Sequence, residues 1–245
     1  MRDYNQELTN RIAFIQDILK NAHAQGIVYG NSGGKDCTLV SILCKKACDN
    51  TIGIIMPCQS KRNYGEDTDD ALATATQFGI ETLTVDLTDA KTAITDAISK
   101  SHEITAPASS NIAPRIRMTT LYAVAQSRNA LVAGTGNKSE LYMGYFTKWG
   151  DGGCDFNPIA DLTVTEVYEF LEYLNAPQNI IKKAPSAGLF EGQTDETEMG
   201  VTYAQIDQFI QNQTGDTDAI ARIKRYHETS HHKRQMPLMY RQDKL

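Results

Sequence analysis

The chain has 245 residues, 41% of them hydrophobic and 22% charged, which is ordinary for a globular protein and leaves room for a substantial core. Disorder, collagen and a disulfide scaffold are excluded on composition, and no run of about 18 apolar residues offers a membrane span. Twenty-four basic against thirty acidic residues give a net charge of -6, which argues against broad binding to nucleic acid. The five cysteines (Cys37, Cys44, Cys48, Cys58 and Cys154) are scattered and odd in number, as in reduced intracellular proteins. Met1 to Lys20 has no apolar core of the signal-peptide kind, so the expected compartment is the cytoplasm.

In chain order, Leu8, Ile12, Ile15, Ile18 and Leu19 recur at helical spacing and predict a first helix ending near Gly26. Ile27 to Tyr29 is a short β-prone run between glycines. A helix follows from Asp36 to about Cys48, placing Cys44 and Cys48 on one face, with buried packing expected rather than a metal. Thr51 to Met56 reads as a second strand closed by Pro57, and Gln59 to Asp67 as a polar loop. Asp67 to Phe78 predicts a helix stopped by Gly79, Glu81 to Leu87 a third strand, and Asp89 to Ser101 a helix. Pro107 to Pro114 reads as a loop, followed by a helix from about Arg115 to Gln126 and a fourth strand at Ala130 to Ala133. Thr163 to Leu174 is helical by spacing. Pro185 to Gly200, rich in Gly, Thr and acidic residues, is a loop or lid candidate. Two helices, Thr202 to Gln213 and Asp216 to Tyr226, precede a basic tail from His227. No repeat and no low-complexity tract interrupts this order.

Strands alternating with helices indicate βαβ units and a parallel sheet. In such sheets ligands sit at the carboxyl ends of strands, so the segments after Tyr29, Met56 and Val132 are the places for chemistry. After Tyr29 comes Gly30-Asn31-Ser32-Gly33-Gly34-Lys35-Asp36-Cys37. Glycines between a strand and a helix let backbone approach an anion at the helix N-terminus. The run fits neither GxxxxGK[ST] nor GxGxxG. Asp36 beside a phosphate would repel it unless a cation mediates, which implies Mg²⁺.

Ser32-Gly33-Gly34-Lys35-Asp36 resembles the SGGxDS pyrophosphate loop of the N-type ATP pyrophosphatases, with Cys37 where that superfamily usually has serine. A thiol is the weaker hydrogen-bond donor. Further segments follow in order: Arg115-Ile116-Arg117-Met118, Gly134 to Glu140, Gly144 to Gly153, Pro185 to Leu189 with Gln193 to Glu196, and His232 to Gln235. Together, over nearly the whole chain, they resemble ammonia-dependent NAD synthetases.

The resemblance implies one adenine nucleotide alpha hydrolase-like domain over 1–245, doubly wound, with an open, mostly parallel sheet and helices on both faces, in a homodimer. It implies ATP-dependent amidation of deamido-NAD by ammonia, giving NAD, AMP and pyrophosphate through an adenylated carboxylate. On the same grounds Asp36 and Glu140 are the magnesium-binding carboxylates. Gly30, Asn31, Ser32, Gly33, Gly34, Lys35, Asp36, Cys37, Thr135 and Ser186 are expected to bind ATP. Arg115, Lys148, Asp155, His232 and Lys233 are expected on deamido-NAD, and Arg and Lys suit an anionic dinucleotide. Where the family commonly has an ATP-contacting lysine, this chain has Val164; Lys35, Lys138 and the Ser60-Lys61-Arg62 stretch are the candidates to replace its charge. Glutamine-dependent forms carry a glutaminase domain ahead of the synthetase domain, and the roughly thirty residues before the loop are too few for one. Free ammonia or a separate donor protein is therefore expected to supply the nitrogen. Two rival readings are a tRNA-modifying pyrophosphatase of the same superfamily, disfavoured by the net negative charge, and an inert nucleotide-binding module, for which Cys37 and Val164 argue and Asp36 with Glu140 argue against.

Overall fold

A computed structural model describes residues 2–59, 65–182 and 195–240. Four parallel strands form one sheet: β1 (Gly26–Gly30), β2 (Thr51–Ile55), β3 (Glu81–Thr84) and β4 (Ala130–Ala133). Their spatial order is β3-β2-β1-β4. Ile27 pairs with Thr51 and Leu131, and Ile52 with Glu81, so β1 and β2 lie inside the sheet. The chain winds outward from β1 to β3, then crosses back to add β4 on the far side. That reversal puts a switch point between the carboxyl ends of β1 and β4, where open α/β sheets bind ligands.

Both faces are covered. Ile27 and Tyr29 pack with Ile15 and Leu19 of α1 (Tyr4–Ala22), with Leu39, Ile42 and Leu43 of α2 (Lys35–Ala47), and with Val167 and Phe170 of a later helix, α8 (Val164–Tyr173). Val28, between them, points the other way onto Met118, Leu121 and Ala125 of α6 (Ile112–Ser127). This period-two alternation is what a doubly covered sheet demands of its central strand. A third cluster, which joins Val164 and Met143 to Tyr203, Ile206, Phe209 and Ile223, closes the carboxyl end. It draws on α7 (Lys138–Met143), α11 (Tyr203–Asn212) and α12 (Thr217–Thr229), the last followed by a single 3-10 turn at His231–Arg234.

The remaining helices are α3 (Glu66–Phe78), α4 (Thr88–Ser99), α5 (Ala106–Ser110), α9 (Gln178–Ile181) and α10 (Asp195–Met199). Gly79 ends α3 in the left-handed region, at φ 64°, as its position in the sequence predicts. The expectation of a loop from Pro107 to Pro114 is corrected. That stretch is α5 and the first turn of α6, with Pro107 in the opening turn of α5. A first turn uses none of its own N–H groups, so proline there costs no hydrogen bond. Cys48 does not share a helical face with Cys44: α2 ends at Ala47 and Cys48 is extended, at φ -149°. Of the lid candidate only α10 and Gly200 lie within the described residues.

Candidate functional site

A cavity of about 970 Å³ opens at the carboxyl ends of β1, β2 and β4. Its floor is the loop between β1 and α2. Asn31, buried, knits that loop: its amide nitrogen donates to the Ala71 carbonyl at 3.2 Å and its backbone N–H to Ile54 at 2.8 Å. Gly33 has φ +71°, and a Cβ there would lie 2.2 Å from the Asp67 carbonyl oxygen, so no other residue fits. Gly34 caps α2 without a side-chain hydrogen bond. The first N–H groups of α2 therefore face the cavity unclaimed by a cap and can receive an anion. The Cys37 thiol is buried and turned into the loop, 3.1 Å from the Gly34 carbonyl and 3.4 Å from the Ser32 hydroxyl. Burial pushes the thiol's pKa up, so it stays neutral. It latches the cradle from within.

Across the switch point, α7 begins with a capping box. Asn137 accepts from the Glu140 N–H at 3.0 Å, and Glu140 Oε2 accepts from the Asn137 N–H at 3.1 Å. The Asn137 amide then donates to Asp36 Oδ1 at 3.0 Å. One asparagine thus fixes both carboxylates that the sequence singles out. Asp36 Oδ2 takes the Lys35 ammonium at 2.7 Å. Glu140 Oε1 has no hydrogen-bond donor among the described residues, and its ion pair to Lys35 is long, at 4.0 Å. Burial, then the neighbouring Asp36 carboxylate, raises the Glu140 pKa well above the usual range. Burial alone would lower the Lys35 pKa, but Asp36 and Glu140 outweigh it and hold the ammonium above its ordinary value.

This donor set fits Mg²⁺. Two carboxylates with a bare oxygen are hard ligands, and Mg²⁺ is commonly held by one or two carboxylates together with substrate phosphates. No cluster of three or more His, Cys, Asp or Glu side chains stands ready to hold a metal alone among the described residues.

The structure brings most of the expected residues together. Gly30, Asn31, Ser32, Gly34, Lys35, Asp36, Cys37, Thr135, Glu140, His232 and Lys233 all line the cavity. Gly33 lies beneath it, against Asp67. Arg115 and Lys148 form an outer rim: Arg115 Nε donates to the Lys148 carbonyl at 3.3 Å, and Lys148 Nζ to the His232 carbonyl at 2.5 Å. Asp155 sits behind β4, accepting from the Val132 N–H at 2.7 Å and the Tyr122 hydroxyl at 3.2 Å. Ser186 and Ser60-Lys61-Arg62 lie outside the described residues. Of the other two candidates to replace the charge missing at Val164, Lys35 lines the cavity and Lys138 does not.

Two lining residues, Arg117 and Asp151, lie within the motif segments but had no expected role. Arg117 is partly buried and donates from Nε to the Met56 carbonyl at 3.1 Å. Burial lowers its pKa from the ordinary arginine value. Desolvation of its carboxyl group raises the Asp151 pKa, and the Thr147 N–H donates to that carboxyl at 3.0 Å. Lys233 donates to the Gly144 and Phe146 carbonyls, each at 2.8 Å, tying the end of the chain to this wall.

Fold and site define a class: an α/β protein of parallel-sheet type with a glycine-rich loop and a pair of carboxylates meeting in one cavity at the switch point. A model of the NAD synthase family matches residues 7–237. An NH3-dependent NAD+ synthetase of Carboxydothermus hydrogenoformans is 45% identical, over 97% of this chain and 98% of that relative. Among solved structures, an NMN synthetase from Francisella tularensis superposes with a TM-score of 0.92 at 37% identity, covering 98% and 99% of the two chains. An NH3-dependent NAD synthetase from Campylobacter jejuni, solved with a nitrate ion, gives 0.80 at 34% identity, covering 98% of this chain and all of that one. The chain belongs to the NAD synthase family, and its fold is adenine nucleotide alpha hydrolase-like.

Proposed function

We propose that the chain is a ligase that amidates deamido-NAD with ammonia, cleaving ATP to AMP and pyrophosphate, and that the reaction runs in the cavity at the β1–β4 switch point. The observation that carries this reading is the joining of the Gly30–Cys37 cradle to Asp36 and Glu140 through the single side chain of Asn137. Family membership sets aside the tRNA-modifying and inert-module readings.

A carboxylate resists attack by ammonia, so it must first become a mixed anhydride with AMP. The loop amides and the N-terminus of α2 would hold the phosphates, and Thr135 and Ser186 would complete the ATP contacts. Asp36 and Glu140 would hold Mg²⁺, which when bound neutralises developing charge on the phosphate oxygens. The bare Glu140 Oε1 and the Asp36 carboxylate are aimed by Asn137 before substrate arrives, so no reorganisation is needed in the transition state. Arg115, Lys148, His232 and Lys233 would receive the dinucleotide acid, with Asp155 behind them through Tyr122. The walls position the two reactants and keep water from the anhydride. No leaving group needs a protein nucleophile, and the Cys37 thiol is engaged with the Gly34 carbonyl and the Ser32 hydroxyl. The working assembly is read as a homodimer of single-domain chains.

The test is a coupled assay with ATP, Mg²⁺, ammonium and deamido-NAD. NAD and AMP should form one to one, and EDTA should abolish both. AMP without NAD would overturn the acceptor. A second acceptor has one observation behind it: the likeness to the NMN synthetase exceeds that to the Campylobacter enzyme. Nicotinate mononucleotide in the same assay, at equal concentration, decides which acid has the higher kcat/KM.

A further inference from the structure

Lys35 stands at the variable position of the S-G-G-x-D run, and its environment is unlike that of a surface lysine. Its side chain is 6% exposed. Nζ lies 2.7 Å from Asp36 Oδ2, 4.0 Å from Glu140 Oε1 and 5.5 Å from the centre of the Tyr203 ring. Among the described residues its single hydrogen bond is to Asp36. An ammonium has three donors, so this one is held by charge rather than by a closed set of hydrogen bonds. A buried ammonium is costly unless it is paired, and the two carboxylates are its pair. They need it in turn, because Glu140 lies largely out of solvent beside Asp36.

The same two carboxylates are the donors that fit a divalent cation. Lys35 therefore occupies, with one positive charge, the electrostatic position that Mg²⁺ would take with two. Its flexible four-carbon stem lets the head group move while the stem stays packed. The cavity into which it can move is the one floored by the phosphate cradle. No charge comes from Val164, which is buried among Met143, Tyr203 and Ile206 on the neighbouring wall.

We propose that Lys35 is a positioning residue that serves as the resident counter-ion of the Asp36–Glu140 pair, holding the two carboxylates in place until a divalent cation binds and then carrying its ammonium onto the phosphate oxygens of ATP. The proposal rests on the reading of Asp36 and Glu140 as the metal-binding pair. It makes Lys35 and the metal competitors without nucleotide and partners with it.

The test uses the full chain and two binding readouts that need no acceptor and no turnover. Mn²⁺ binding without nucleotide, followed by electron paramagnetic resonance, should tighten about tenfold or more in Lys35→Met and not in Lys35→Arg, since only the first removes the competing charge. Binding of α,β-methylene-ATP in EDTA, by calorimetry, should weaken about tenfold or more in Lys35→Met, and saturating Mg²⁺ should narrow that gap. A native-like Lys35→Met that binds Mn²⁺ no more tightly than the wild type overturns the proposal. So does a nucleotide gap as wide with Mg²⁺ as without. Should Lys35→Met fail to fold, the wild-type chain labelled with ¹³C at the lysine ε-carbon supplies the readout, with Lys35→Arg giving the assignment. The Lys35 resonance should shift when Mg²⁺ and the analogue are added together, and a resonance that stays in place overturns the exchange. Wild type that binds no Mn²⁺ even with nucleotide removes the metal pair and the proposal with it, whereas failure of amidation alone leaves both readouts standing.

Discussion

Two ion clusters sit on this fold, and they are built to different ends. One staples the amino-terminal helix to the loop before α8: Arg2 and Arg11 bind Glu7, Asp161 and Glu166 at 2.7 to 3.1 Å. Each of the six carboxylate oxygens there accepts a hydrogen bond, the last from the Thr163 N–H. The other is Lys35 between Asp36 and Glu140, more deeply buried, with Glu140 Oε1 left bare of donors among the described residues. Arg11 Nε there is buried without a hydrogen-bond partner among the described residues, but a cluster whose carboxylate oxygens are all engaged has no acceptor left for a cation and serves stability. A cluster with an open carboxylate oxygen facing a cavity is poised for a cation. Charged residues alone do not separate the two cases. Oxygen-by-oxygen satisfaction does.

The sharpest way to break this contrast is to remove one charged group from each cluster. Asp36→Asn should cost about 4 kcal/mol of transition-state stabilisation, close to a thousandfold in kcat/KM, with the circular dichroism spectrum unchanged. Near-normal turnover would remove Asp36 from the chemistry. Arg11→Met should do the reverse. It takes the partner from Glu7 and Asp161 and leaves the Pro158 carbonyl without its donor, and should lower the urea-unfolding free energy by about 2–3 kcal/mol. Its kcat/KM should stay within about twofold of wild type. Lost activity in the folded variant would show that the amino-terminal cluster is not merely structural.

The open cluster was legible in the sequence and the closed one was not. Ser32-Gly33-Gly34-Lys35-Asp36 is contiguous, and its glycine at positive φ and its cap-free helix start follow from local rules. Glu140 was reached only through the ordered set of motifs, yet Asn137 three residues ahead of it is a capping box that spacing alone could have shown. Arg2, Arg11, Asp161 and Glu166 are joined across some 150 residues, and no local pattern announces that meeting. Arg117 had a signal that went unused. It stands one helical turn from both Pro114 and Leu121, whose stripe is buried, while Arg115 does not share that face and is exposed. Pro107 to Pro114 was misread because proline was taken as a breaker where it opens a helix. The strands erred only in length: β3 stops at Thr84, although the Val85 and Leu87 N–H groups still donate to the Ile55 and Pro57 carbonyls at 2.9 Å and both side chains pack under α6.

The rim tests a third kind of charge, set neither in a closed cluster nor in an open one. Lys148 Nζ rests on the His232 and Gln235 carbonyls, at 2.5 and 3.3 Å, and 5.3 Å from the Trp149 ring centre. It has no carboxylate partner among the described residues, so its charge is available to an anionic acceptor. Lys148→Ala should weaken deamido-NAD about tenfold and leave the Kd of ATP alone. Equal losses for both ligands in a binding titration would move Lys148 out of the acceptor face.

The smallest expected effect concerns acid. Burial alone would raise the pKa values of Asp161 and Glu166, but the hydrogen bonds and charges of Arg11 and Arg2 outweigh it and hold both below the usual carboxylate range. A carboxylate whose folded pKa is depressed binds its proton more readily in the unfolded chain. Its contribution is therefore fully present above about pH 5 and is lost as pH falls through the folded value. Both side chains are partly exposed, so screening keeps the effect small. The measurement is the thermal midpoint from pH 7 down to pH 3, for the wild type and for Arg2→Met. The wild type should fall more steeply below pH 5, and the variant should have lost part of that slope because Glu166 and Asp161 each keep fewer cationic partners. Parallel curves would mean that the amino-terminal cluster, however complete its hydrogen bonds, contributes no pH-dependent stability, and closure of the oxygens rather than charge would then be what distinguishes it from the site.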